Sequence, residues 1–396
     1  MKADPYFSVV IPSRNRPALA RTAISSVLAQ SFEDLEVVFL ENSDPECLLQ
    51  ESFGDPRLRI SSSPSVLGMP ANWERLFEHV TGRYVILIAD KDQLNPRALE
   101  LIHGQARTQE HPLITFGKTL VSDTGVVINR PREADTPQLS PTKPWLKKWF
   151  EDLIYDADAP MLYNSAVHRD LLRKTRPAAG RFFAGGSPDI ASSIALLAAT
   201  KTFLNLGLPL AVGYFGAWSN GYHAMSGRKN PKIQSFFADL KDDPFARLGV
   251  VPSMPGGVAE TAYACKRAYP DLLTEWNINW DIYPILVARE LVLSREEGQK
   301  ADISEDWELL ARGAGGLYSH RAFMRARMFR LQRRLANRLR RLAAPGSRRG
   351  QLFRAGLDRL GLRPSAHRPS PEHLELSSAL REMNRKVDAF LALRGT

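Results

Sequence analysis

Two aspartates one residue apart, Asp90-Lys91-Asp92, directly follow the apolar run Val85-Ile86-Leu87-Ile88-Ala89. Carboxylates at the end of a buried strand are costly unless they are paired or bound to a cation. Mg2+ and Mn2+ take oxygen ligands, commonly one or two carboxylates completed by substrate phosphates. The same residues also fit a solvated turn in which both acids merely cap the next element. Two more polar turns end apolar runs: Pro12-Ser13-Arg14-Asn15-Arg16 after Ile11, and Glu41-Asn42-Ser43-Asp44 after Leu40. Polar groups at neighbouring strand ends can read a base and a ribose by hydrogen bonds. Farther on, Gly185-Gly186-Ser187-Pro188-Asp189 opens a strongly apolar stretch. Ser187 suits a helix cap and Pro188 the first turn, which would present Asp189 near the positive end of the helix dipole. An acid in that place either accepts a proton or only complements the dipole.

The elements that position these residues follow from periodicity. Residues 6–11 read as a strand and 17–30 as a helix with Leu19, Ala23, Val27 and Leu28 on one face. Strands at 36–40, 58–61 and 84–89 alternate with helices at 71–80 and from Asn95-Pro96 to about Gln105. This rhythm predicts an α/β fold with a mostly parallel sheet covered on both faces, where ligands sit beyond the carboxyl ends of the strands. The polar turns and the acid pair lie at those ends. Residues 131–185 are Pro-rich and then irregular, with Trp145, Trp149 and Phe150 on a short helix. A helix to about Ala199 and a strand over 209–215 come next, and from 231 onward the pattern is helical.

The net charge of +10 belongs to one segment. Between Arg321 and Arg363 there are 14 arginines against Asp358 alone, so the remainder sums to about −3. In this tail Met324, Met328, Leu331, Leu335, Leu339 and Leu342 recur at helical spacing, as do Leu376, Leu380, Met383, Val387 and Phe390. A basic amphipathic helix suits an anionic membrane surface, helix–helix assembly, or a solvated face packed on a neighbour. It is poor for nucleic acid, because only Phe323 and Phe329 interleave with its arginines for base stacking. Two cysteines far apart, Cys47 and Cys265, give neither a disulfide framework nor a thiolate zinc site. The composition, 44% hydrophobic and 24% charged, is globular. No leader or membrane span is read, so the expectation is a cytoplasmic protein, at most peripheral on the inner face of a membrane.

The order of the motifs resembles the family 2 glycosyltransferases of the GT-A fold. Residues 9–16 match the family's VVIPTYNR opening, and Gln30-Ser31-Phe32-Glu33-Asp34-Leu35-Glu36-Val37 resembles its link into the second strand. Glu41-Asn42-Ser43-Asp44 stands at its acidic turn. The stretch Leu67-Gly68-Met69-Pro70-Ala71-Asn72-Trp73-Glu74 through Gly82-Arg83-Tyr84 resembles the family's lead into the metal motif, and Asp90-Lys91-Asp92 matches that DxD-type motif. The resemblance covers about 6–105 well and 160–225 loosely. Glu41 is a methylene longer than the family's usual aspartate, and Lys91 adds a positive charge beside the expected phosphates.

The resemblance implies an inverting transferase that uses a nucleotide-sugar donor, UDP-linked by analogy, a glycan or glycoconjugate acceptor, and Mn2+ or Mg2+. It implies donor contacts from Pro12, Ser13, Arg14, Asn15, Arg16, Glu41, Asn42, Asn72, Asp90 and Lys91. It implies metal ligation through Asp92 and Asp90, with His223 as a further candidate, and Asp189 as general base. A role in cell-surface polysaccharide synthesis is expected by analogy. The expected organisation is a GT-A domain over 1–230, a helical extension over 231–318 and a basic amphipathic tail over 319–396 that binds membrane or mediates homo-oligomer formation. The competing reading is a nucleotidyltransferase acting on sugar phosphates, which would want a Gly- and Lys/Arg-rich loop after the first strand. Pro12-Ser13-Arg14-Asn15-Arg16 is not one. Trp145, Trp149, Tyr155 and Phe183 are read either as a sugar-stacking wall or as core.

Overall fold

The computed structural model describes residues 4–122, 124–177, 181–216, 219, 250–296, 303–342 and 376–392. Four strands, β1 (Phe7–Ser13), β2 (Leu35–Glu41), β3 (Leu58–Ser62) and β4 (Tyr84–Leu87), lie in the order β3-β2-β1-β4 and run parallel. Helix α1 (Pro17–Leu28) crosses from β1 to β2, while α2 (Met69–Glu74) and α3 (Leu76–His79) lead from β3 to β4. The expected single helix over 71–80 is thus two short ones parted at Arg75. The Arg75 guanidinium donates to Asn72 Oδ1, Ser61 O and Glu41 O, which ties this bend to the ends of β2 and β3.

The chain continues through β5 (Asp92–Leu94), α4 (Ala98–Thr108), β6 (Leu113–Val121), β7 (Val127–Asn129), β8 (Gln138–Pro141) and α5 (Lys143–Lys147). Then come β9 (Ser165–His168), α6 (Arg169–Thr175), α7 (Pro188–Ala199) and β10 (Thr202–Tyr214). These complete the sheet as β4-β9-β6-β10-β5, with β7 on β6 and β8 on β10. β10 is parallel to β6, whereas β9 runs antiparallel to both of its neighbours and β5 antiparallel to β10. The sheet is therefore parallel in its first half and mixed beyond. β9 arrives from the irregular stretch after α5, without the helical crossover that makes a strand run parallel.

Strand residues alternate between two cores. Val9, Ile11, Val37, Phe39 and Ile86 face Ile24 and Val27 of α1 and Leu99 and Ile102 of α4. Val10, Val38, Leu40, Val85 and Leu87 face the opposite side, where Ile190, Ile194 and Leu197 of α7 pack with Trp149 and Phe150. That second core extends without a break into the C-terminal helices α8 (Met254–Ala268), α9 (Tyr283–Glu296), α10 (Ser304–Arg312) and α11 (His320–Leu342). Trp149 and Phe183 are fully buried in it, which makes both core residues rather than a sugar-stacking wall. The last helix, α12 (Leu376–Ala392), lies on β10, with Met383 and Val387 buried. Asn95 Nδ2 donates to Asn384 Oδ1 at 2.7 Å, and ion pairs join Arg130 to Glu382 and Lys386 to Glu133. The spacing of its apolar residues offered this helix another helix or chain as partner; its apolar face is spent on the sheet.

Gly82, two residues before β4, lies against the backbone of β1. A Cβ there would lie 2.5 Å from Ser8 N and 2.7 Å from Phe7 C, both backbone atoms of a central strand. Gly82→Ala is expected to destabilise the fold by roughly 1–3 kcal/mol through overpacking. Urea unfolding shows this as a lower midpoint with an unchanged slope.

Candidate active site

β1, β2 and β4 end side by side, so the loops that follow them meet. Asn15 adopts a left-handed conformation (φ 58°), which an asparagine tolerates better than most residues. In that pose its Nδ2 donates to Asp44 Oδ2 at 2.6 Å, its Oδ1 accepts from Asp44 N at 2.8 Å, and its own amide donates to Ser43 Oγ. Glu41 is buried, and its two oxygens accept from the amides of Ser43 and Leu49. Asn42 exchanges two hydrogen bonds with the Leu67 backbone, and buried Asn72 accepts from Arg75. These three polar residues therefore shape the loops around the strand ends. Pro12 and Ser13 are buried at the end of β1, and Arg14 is half-buried.

Asp90 and Asp92 emerge one loop away. Asp90 Oδ2 accepts from Ser13 Oγ at 2.8 Å, and Oδ1 pairs with the Arg16 guanidinium at 3.0 Å. Burial raises the Asp90 carboxyl pKa; Arg16 and Ser13 offset part of that rise. Asp92 Oδ2 pairs with Lys118 Nζ at 3.0 Å, with the carboxylate side chain 0% exposed. Lys91, between them, donates to the Tyr214 carbonyl, and burial lowers its ammonium pKa while Asp92 pulls the other way. Two acids thus stand among three cations, Asp90 paired with Arg16 and Asp92 with Lys118, so that one positive charge, that of Lys91, is left over.

Asp189 enters the same region from the other side of the sheet. Gly185 (φ 82°) makes the left-handed turn before α7, a conformation that favours glycine. Pro188 starts the helix, as expected, and Asp189 occupies its first turn. Ser187 stands at the cap position without making a side-chain cap bond. Asp189 Oδ2 lies 3.4 Å from the Tyr155 hydroxyl, which is itself 2.6 Å from the Tyr163 hydroxyl. Lys118 Nζ stands 3.7 Å over the Tyr163 ring. Contacts therefore run unbroken from Asp189 through Tyr155, Tyr163 and Lys118 to Asp92. Burial holds the Asp189 carboxyl above the usual carboxylate range, with backbone amides, Lys118 and Tyr155 pulling it partly back.

The sequence reading missed Lys118 and Tyr163. One signal was available for Lys118, a charged residue interrupting the apolar strand Leu-Ile-Thr-Phe-Gly-Lys-Thr-Leu-Val. His223 lies outside the described residues.

Residues 8–172 match the model of the Glycosyl transferase family 2. The family 2 resemblance of the strand-end motifs is thereby borne out from β1 to α6. Asp189 falls outside the matched segment and rests on geometry alone. No curated protein matches the chain. Among solved structures, it is similar to Staphylococcus aureus TarS residues 1–349 in complex with UDP-GlcNAc, at 14% identity and TM-score 0.44, covering 76% of this chain and 95% of that one. It is also similar to S. aureus TarS at 12% identity and TM-score 0.44, covering 79% of this chain and 56% of that one. These likenesses are too distant to speak of chemistry.

Among the described residues, no three His, Cys, Asp or Glu side chains gather as a complete metal cage. A divalent ion of the kind that family 2 implies would instead need one carboxylate oxygen from the protein and the rest from phosphate and water. Asp92 Oδ1 fits that demand. It is buried with no hydrogen-bond partner, and it packs so closely on Gly213 that a Cβ there would lie 2.4 Å from it.

Proposed function

We propose that the protein transfers a sugar from a nucleotide diphosphate sugar, UDP-linked, to a hydroxyl of a glycan or glycoconjugate, with inversion at the anomeric carbon. A place in cell-surface polysaccharide synthesis on the cytoplasmic side suits that chemistry. The observation that carries the reading is the wall joining Asp189 to the Asp90/Asp92 pair through Tyr155, Tyr163 and Lys118. It sets a proton acceptor and a cation-rich anion site on one continuous surface. Direct displacement needs both: one group to take the acceptor's proton, others to stabilise the charge that develops on the departing diphosphate.

In this reading the loops after β1 and β2 receive the nucleoside, through Pro12, Ser13, Arg14, Asn15 and Arg16 and the buried Glu41 and Asn42. Asn72 supports them through Arg75. Arg16 and Lys91 face the diphosphate, and Asp90, fixed by Ser13, keeps Arg16 in place. Asp92 would hold Mn2+ or Mg2+, which when bound supplies a Lewis acid to the diphosphate oxygens. Asp189 receives the acceptor proton at Oδ2, the oxygen facing Tyr155. Within the three regions 1–230, 231–318 and 319–396, this assigns the chemistry to the first.

A panel of nucleotide sugars tests the proposal without knowledge of the acceptor. With Mn2+ present, one or more UDP-sugars are expected to release UDP by slow donor hydrolysis. Sugar phosphates with a nucleoside triphosphate should release no pyrophosphate. Pyrophosphate release with no UDP release would replace sugar transfer by nucleotidyl transfer.

A further inference from the structure

Helix α11 has two apolar faces, one packed inward and one exposed. Its small residues Ala322, Ala326 and Ala336 are buried, and it packs on α9. Phe323 and Phe329 are partly buried against the core, whereas four further large apolar residues point outward: Met324 is 46% exposed, Met328 49%, Leu331 49% and Leu335 58%. At about 100° per residue these four fall within about 60° of one another, a single stripe along the helix. Exposed Arg321 and Arg325 flank one side of the stripe, and exposed Arg327 and Arg334 the other. The helix carries no acidic residue. Isolated exposed leucines are ordinary; four long apolar side chains in line between two rows of arginine are a surface with a purpose.

We propose that this face of α11 lies on an anionic lipid surface, with Met324, Met328, Leu331 and Leu335 immersed at the headgroup boundary and the flanking arginines on lipid phosphates. An in-plane amphipathic helix needs this cross-section: an apolar stripe for the acyl boundary, with cations on both margins. Charge complementarity decides between occupants. Pairing the stripe with that of a second copy would set arginine rows against arginine rows, with no acid on either helix to relieve them. α12 is already seated on β10. The sequence after α11 adds Arg348, Arg349, Arg354, Arg359 and Arg363, more charge of the sign that anionic lipid attracts. Among the described residues no helix is long and apolar enough to cross a membrane, so the contact is one of lying on the surface.

Sedimentation of the full chain with vesicles decides the matter. The wild type is expected to pellet with phosphatidylcholine vesicles containing phosphatidylglycerol, to stay in solution with phosphatidylcholine alone, and to be released as salt is raised. Leu331→Glu with Leu335→Glu is expected to lower the partition about tenfold or more, since it removes two of the four apolar groups that the lipid would cover. Arg325→Glu with Arg327→Glu should weaken binding to the anionic vesicles as well. All four positions are exposed, so melting temperatures should match the wild type and donor hydrolysis should be unchanged. Equal partition of the leucine variant and the wild type overturns the proposal. So does a concentration-dependent dimer in light scattering that the leucine variant abolishes, because the stripe then belongs to a second copy.

Discussion

Asp189→Asn is expected to lower turnover by about 10²–10⁴-fold while leaving nucleotide affinity nearly unchanged. The asparagine keeps the shape of the first turn of α7 and can still accept from the Tyr155 hydroxyl, but it cannot take a proton. The pH profile gives an independent check. A carboxyl held above its usual range is charged, and able to act as base, only above that raised pKa. Activity should therefore fall as pH drops, with the acid limb of kcat/KM lying above the ordinary aspartate value of about 3.9. Tyr155 and Lys118 both favour the charged form of Asp189. Tyr155→Phe should accordingly move that limb to still higher pH, and Lys118→Met should do the same. If Asp189→Asn transfers sugar at close to the wild-type rate, the proton goes elsewhere. If Tyr155→Phe leaves the limb in place, the 3.4 Å contact does not tune the base.

The parts of this site that could be read from sequence are those fixed by local pattern. The acid pair is legible because β4 is a short apolar run that stops just before it, and the turn after β1 because a fully buried strand ends in polar residues. Asp189 is legible because Ser187-Pro188 marks a helix start, although Ser187 makes no side-chain cap bond there. Lys118 belongs to another class. It reaches Asp92 only because β10, far from both in the chain, lies between β6 and β5, with Gly213 opposite Asp92. Nothing local announces that pairing. β9 slips antiparallel between β4 and β6 for a similar reason, from a stretch with no periodic signal. α11 shows a third limit. Periodicity found its apolar stripe, but the face that packs inward is that of Ala322, Ala326 and Ala336 with Phe323 and Phe329, and only tertiary packing on α9 and the core decides it. The same holds for α12, whose pattern announced a partner without naming β10.

Asp92→Asn should lower Mn2+-dependent UDP affinity by on the order of 10²-fold. Asparagine is the informative replacement, because it keeps an acceptor oxygen for the Lys118 ammonium, whose side chain is only 9% exposed, whereas alanine would remove both the charge and the acceptor. Losing one member of a buried pair costs about 3–5 kcal/mol, and a folding defect would then pass for a binding defect. Asparagine also gives up the counter-charge, but it can still accept from Lys118 and still fits beside Gly213, so its melting temperature should fall less than that of the alanine variant, and affinity is measured well below it. What it lacks is the charge on the oxygen left without a partner, and a hard divalent cation depends on that charge. Titration calorimetry with UDP, with Mn2+ or with chelator, separates two roles for the acid pair. If the pair serves a metal, wild type in chelator should bind as weakly as Asp92→Asn in Mn2+, with Arg16, Lys91 and Lys118 supplying the residual affinity. If chelation leaves wild-type affinity unchanged, those three cations hold the diphosphate by themselves, and Asp92 serves only to fix Lys118 between the diphosphate site and Tyr163.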